Sequence, residues 1–168
     1  MENSPSIFVT DSNIWIDLHH GNVITHVFKL PYQFITTDFI CEELKQPAGA
    51  DLVSLGLERR VLGPDLVLDM IEMIHNHPRP SRIDISGLVL ARHLKIPLLS
   101  GDGDLRKAAG REGVRMHGKL FLLDKMVDYR IIKPIEASQA LSRMLLCRSR
   151  LLEKECTKRF DLWGMPEE

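Results

Sequence analysis

The chain has 168 residues and a formal net charge of −1, from 22 Lys+Arg and 23 Asp+Glu. Hydrophobic residues make up 44% and charged residues 27%, the balance of a globular domain with a real core. A disordered chain, a collagen-like repeat and a pair of full-sized domains are excluded.

Ile7-Phe8-Val9-Thr10 reads as a strand, and Asp11-Ser12-Asn13 after it as a helix-capping cluster. Ile14, Trp15, Ile16 and Leu18 give a short helix ending near Gly21. Residues 27–30 and 33–36 read as strands around Pro31. Thr37 or Asp38 caps a helix over 39–45, stopped by Pro47. Residues 50–78 read as mainly helical with a break at Gly63-Pro64, and Leu66, Leu68, Met70, Ile71 and Ile74 as its buried stripe. A Pro-rich loop over 78–81 follows, then a helix over 84–94, a strand over 96–100 and a turn over 101–104. A helix over 105–110, a strand over 113–116 and a helix over 119–127 complete the alternation. From Pro134 the pattern is helical, with one apolar face on Ile135, Ala140, Leu141, Met144 and Leu145. A second face holds Leu151, Leu152, Phe160, Leu162 and Trp163.

Alternation of this kind predicts an α/β fold, a three-layer α/β/α sandwich around a mostly parallel central sheet. The expected organisation is a domain over 1–146 and a helical extension over 147–168, packed on the domain or on a partner. The cysteines Cys41, Cys147 and Cys156 are odd in number and form no CxxC, which argues against a disulfide framework or a cysteine zinc site. The opening MENSPSIFVTDSN does not read as an export leader, and no apolar run approaches a membrane span. The expected location is the cytoplasm. The histidines show no metal-ligand spacing and read as surface residues.

Parallel α/β sheets bind ligands beyond the carboxyl ends of their strands. Asp11 follows one strand there, and Asp102 with Asp104 follows another. Asp84 and the Glu42-Glu43 pair lie near helix starts, which share that edge. Singly, each acid reads as a cap, a turn residue or a solvated helix position. Together they describe a cleft of carboxylates that repel unless a cation neutralises them, and an all-oxygen donor set favours Mg²⁺ or Mn²⁺.

The same stretches resemble PIN-domain proteins, and among them the compact group that includes VapC-type toxins. FVTDSN, DFICEELKQP, DISGLVLARHLKIPLLSGDGDLRKAA and GVRMHGKLFLLDKMV carry the resemblance, which spans about residues 6–145. It implies that Asp11, Glu43, Asp84 and Asp102 bind one or two divalent ions, with Asp104 either a further ligand or a turn residue. It also implies that Ser100 and Asn13 orient carboxylates through hydrogen bonds. Some relatives carry an acid where this chain has Ser86.

The activity so implied is Mg²⁺- or Mn²⁺-dependent endonucleolytic hydrolysis of RNA, leaving 5′-phosphate and 3′-hydroxyl ends. The expected partners are the RNA, a small antitoxin protein and a second copy of the chain. Arg106 and Lys107 are the expected RNA contacts, with a solvated helix face as the equal alternative. The charge distribution suits such a substrate: residues 1–105 carry 8 Lys+Arg against 14 Asp+Glu, and residues 106–168 carry 14 against 9. The rival reading is a PIN-fold binding or scaffold domain without catalysis. Haloacid-dehalogenase and response-regulator patterns do not match, because DSN follows the first strand and the later residues lie in the wrong order.

Overall fold

In the computed structural model, which describes residues 6–167, strands and helices alternate from β1 (Ser6–Thr10) through α1 (Ser12–His20), α2 (Ile24–Val27) and β2 (Tyr32–Thr37). They continue with α3 (Asp38–Glu43), α4 (Gly49–Leu55), β3 (Glu58–Arg60), α5 (Pro64–Asn76), α6 (Arg82–Leu94), β4 (Leu98–Leu99) and α7 (Gly103–Arg111). β5 (Met116–His117), α8 (Lys119–Asp128), α9 (Pro134–Leu146) and α10 (Glu153–Trp163) complete the fold. Residues 1–5, on which the export-leader reading partly rests, lie outside the described range. Among the described residues, no helix is long and apolar enough to cross a membrane.

The sheet order is β3-β2-β1-β4-β5, and every pairing is parallel. The expected α/β architecture is therefore present, with an all-parallel sheet. Side chains alternate across it, as the two-residue period of a strand requires. Phe8, Phe34 and Leu99 join one core with Trp15, Leu122 and Leu141. Val9, Ile35 and Leu98 join the other with Ile85, Leu88 and Leu105. β1, β2 and β4 are covered on both faces, which explains their nearly continuous apolar runs.

Several local expectations change. Residues 27–30 are not a strand: α2 ends at Val27 and a turn follows. Val23, Val27 and Leu30 are buried at a spacing of four and three, so the helical period wins over β propensity. Phe28 stacks on Trp15 at 5.2 Å, which holds the turn against the core. β3 interrupts the stretch read as helical. It is an edge strand, paired only with β2, and its Glu-Arg-Arg sequence lacks the apolar signature of the central strands.

The stripe on α5 is also displaced. Met70 and Met73 are buried, whereas Leu68 and Ile71 are exposed. The strand expected over 113–116 shrinks to β5, because Gly113 takes a positive φ of 71° in the preceding turn.

α10 packs on α9. Cys156 and Trp163 enter the same core as Leu141, while Leu152 and Leu162 of the expected apolar face are exposed. The Arg159 guanidinium bonds Asp124 of α8 at 2.7 Å, and Ser138 Oγ donates to the Gly164 carbonyl at 2.5 Å.

Candidate active site

The strand order reverses between β1 and β4, and there the crossovers diverge to leave a crevice at the carboxyl ends. β1 delivers Asp11 to this point, and β4 leads to Ser100 and Asp102. Asp11 is fully buried. It caps α1 by accepting from the Ile14 amide at 2.9 Å, and it accepts a short hydrogen bond from Ser100 Oγ. The same Ser100 hydroxyl accepts from the Asp102 amide at 3.1 Å, joining the two strand ends. Asp102 caps α7 through the Leu105 amide at 2.7 Å.

Burial pushes the Asp11 carboxyl up to about 7. The Ser100 and Ile14 bonds work against the rise, and the charges of Asp84 and Asp17 add to it. Asp84 stands in the first turn of α6, whose Ser81 cap accepts from the Asp84 amide at 3.0 Å. Its carboxyl is also held above the usual range, first by burial, with the Ser81 hydroxyl opposing and Asp102 and Glu43 adding repulsion. Glu43 ends α3, where it accepts from Ser12 Oγ at 2.5 Å. Asp84 thus stands within charge range of Asp11, Asp102 and Glu43.

A cleft of about 530 Å³ is lined by Glu43 and Asp84 together with Ser12, Asn13, Lys45 and Ser81 among others, whereas Asp11 and Asp102 do not line it. Asn13 is exposed in its wall, and the bond to Glu43 comes from its neighbour Ser12. Asp104 and Lys107 face a different cavity, between α7 and the loop before α6, whereas Arg106 lies toward the His117-Gly118 turn. Ser86 is fully buried, with its hydroxyl 2.8 Å from that of Thr37, so its position faces the sheet rather than the cleft. Among the described residues, no three His, Cys, Asp or Glu side chains are gathered closely enough to hold a metal ion.

Two buried residues with polar partners escaped the sequence reading. Lys119, only 3% exposed, is ion-paired with Asp17 of α1, and a Cβ on Gly101 would lie 3.6 Å from its ammonium. The HGK turn carried the only sequence signal for this pair, and nothing in it marked the lysine as buried. His77 also departs from the surface reading: it is 7% exposed, and its Nε2 lies 2.8 Å from Glu112.

No curated protein matches the chain. Matches exist among solved structures, 19 chains in number. One is a PilT N-terminus domain protein of the hyperthermophilic archaeon Sulfolobus solfataricus P2, 14% identical, with a TM-score of 0.50. The similarity covers 73% of this chain and 94% of that one, and at such identity it is a likeness of fold. A model of the PIN-domain family matches residues 7–165. That span includes both strand-end acids, α6 and the C-terminal helices, and the chain belongs to the PIN-domain family, whose members are generally nucleases.

Proposed function

We propose that the protein is a divalent-metal-dependent endoribonuclease that hydrolyses RNA to 5′-phosphate and 3′-hydroxyl products. The observation that carries this reading is geometric: Ser100 bridges the strand-end acids Asp11 and Asp102, and Glu43 and Asp84 line the open cleft at the same edge of the sheet. The donors are all oxygen, which fits Mg²⁺ or Mn²⁺. Asp11, Glu43, Asp84 and Asp102 would hold the ion, and their repulsion opposes a closed arrangement until a cation is present. A cation there supplies charge neutralisation at the phosphate and makes water more acidic.

The chain's own residues do the rest. The Ile14 amide and Ser100 hydroxyl keep Asp11 in one orientation, and the Ser12 hydroxyl does the same for Glu43. Glu43, exposed at the cleft, accepts the proton of the attacking water. Arg106, on the side of α7 toward the His117-Gly118 turn, would contact a substrate phosphate. Asp104 would be a further ligand or the acid of the neighbouring cavity, which it lines.

Within this reading the chain is the toxin of a toxin–antitoxin pair, acting in the cytoplasm as a homodimer and silenced by a small protein that covers the acidic cleft. The resemblance to VapC-type toxins supports this. The second reading, a PIN-fold binding domain without catalysis, draws on the lack of a closed ligand set among the described residues.

The separating experiment is cleavage of RNA with Mn²⁺ by the wild type and by Asp11→Asn and Asp102→Asn, with Mn²⁺ binding followed by calorimetry. The expected result is cleavage by the wild type alone, abolished by EDTA, with all proteins folded. Full activity of either variant or in EDTA overturns the mechanism. Absence of Mn²⁺ binding by the wild type favours the scaffold reading.

A further inference from the structure

A second cavity, of about 290 Å³, lies between α7 and the loop that joins α5 to α6. Its cationic lining is Arg79, Lys107 and Arg111, with the buried His77 in its wall and Asp104 as the lining acid. Asp104, Lys107, Ala108 and Arg111 are spaced by three, one and three residues, which places them on one face of α7. Ala108 is buried at the base of that face, leaving Lys107 and Arg111 exposed beside the opening. Arg79 projects from Pro78-Arg79-Pro80, where the prolines restrict the backbone and lower the entropy lost when the arginine is engaged.

The cations are free to act. Among the described residues, Arg79, Lys107 and Arg111 form no ion pair, whereas Arg92 and Arg159 do. Glu112, just beyond the end of α7, is already committed: one oxygen lies 2.8 Å from His77 and the other accepts from Arg92 at 2.7 Å. That pairing anchors the loop against α6 and α7 and leaves the cavity's positive charge uncompensated except by Asp104. The cavity also adjoins the acidic cleft. Pro80 lines one and Ser81 the other, while Asp102 caps the helix whose next turn faces the cavity.

We propose that this cavity is a phosphate subsite, binding the backbone of the RNA strand a short distance from the scissile bond. It rests on the nuclease reading above and supplies a positive surface that holds a polyanion beside the acidic cleft. At this size it suits a sugar-phosphate unit rather than a large cofactor. The recognition is of backbone charge, so it adds affinity without base preference.

The test is binding of a fluorescein-labelled single-stranded RNA in EDTA, by anisotropy across a salt series. Arg79→Gln/Lys107→Gln/Arg111→Gln is compared with Lys29→Gln/Lys95→Gln/Arg115→Gln, which removes the same charge from exposed positions outside the cavity. The salt slope is expected to fall by about 0.7 per cation in the first variant, roughly a hundredfold in affinity at 0.1 M salt, and little in the second. Arg79→Lys/Arg111→Lys should keep most of the slope, which separates charge from folding. Equal loss in both triple variants, or wild-type binding in the first, overturns the subsite. Displacement of the RNA by polyglutamate at equal charge overturns it in favour of an acidic peptide. If the wild type cleaves RNA while the first variant binds unchanged, only the subsite fails; if the wild type neither binds nor cleaves RNA, the nuclease reading fails with it.

Discussion

The Ser100 hydroxyl donates to Oδ2 of Asp11 although 89 positions separate them in the chain. Both residues are fully buried, and they meet because β4 pairs with β1 rather than with its sequence neighbour β3. The bond sets the orientation of the acid at the centre of the crevice. It also lowers the Asp11 pKa against the effect of burial.

Ser100→Ala should therefore leave a buried carboxyl oxygen without its partner. The expected cost is about 1–3 kcal/mol of folding stability, measured by urea unfolding. The Asp11 titration should also move upward, followed by carboxyl-carbon NMR. An unchanged titration would show that the hydroxyl does not act on this acid.

Asp11 also predicts a pH dependence. Its folded-state pKa of about 7 lies above that of an unfolded aspartate, so the folded chain keeps its proton to higher pH. The sign follows: this group penalises folding increasingly as pH rises from about 4 to about 7, and the penalty is constant above that. Asp11→Asn lacks the charge. In metal-free buffer it should gain stability relative to the wild type across that window, by an amount on the order of a few kcal/mol. Chemical unfolding at intervals of pH checks it, and a flat difference would refute it.

The Lys119–Asp17 pair predicts a different behaviour. Both side chains are largely buried, at 3% and 13% exposure. Lys119→Met strands the Asp17 charge and should cost about 3–5 kcal/mol, whereas Lys119→Met/Asp17→Leu should recover much of the loss. A thermal-unfolding comparison of the single and double variants provides the measurement.

The last helix offers a contrast between neighbours. Trp163 is 6% exposed in the core and Leu162 is 77% exposed. Trp163→Ala should destabilise by about 3–5 kcal/mol, and Leu162→Ala by about 0.5 kcal/mol or less. Equal effects in denaturant titrations would mean that α10 does not pack as described.

Local periodicity determined much of this protein. The apolar runs at residues 7–10 and 96–100 predicted central strands, and Asp11 and Asp102 were visible at their ends because capping chemistry is local. Residues 27–30 and the charged β3 depart from the sequence expectation, since a short apolar run carries both periods and an edge strand needs no apolar face. The burial of Lys119 and His77 was hidden as well, because each depends on a partner distant in the chain.

The sequence by itself thus determined that strands and helices alternate and that acids stand at the strand ends. Tertiary structure alone decided that β4 lies beside β1, that Ser100 reaches Asp11, and that Arg79 meets Lys107 and Arg111 around one cavity. The reason is physical. Periodicity and capping act over one or two turns of chain, whereas strand order is set by which apolar faces can be buried together in both layers.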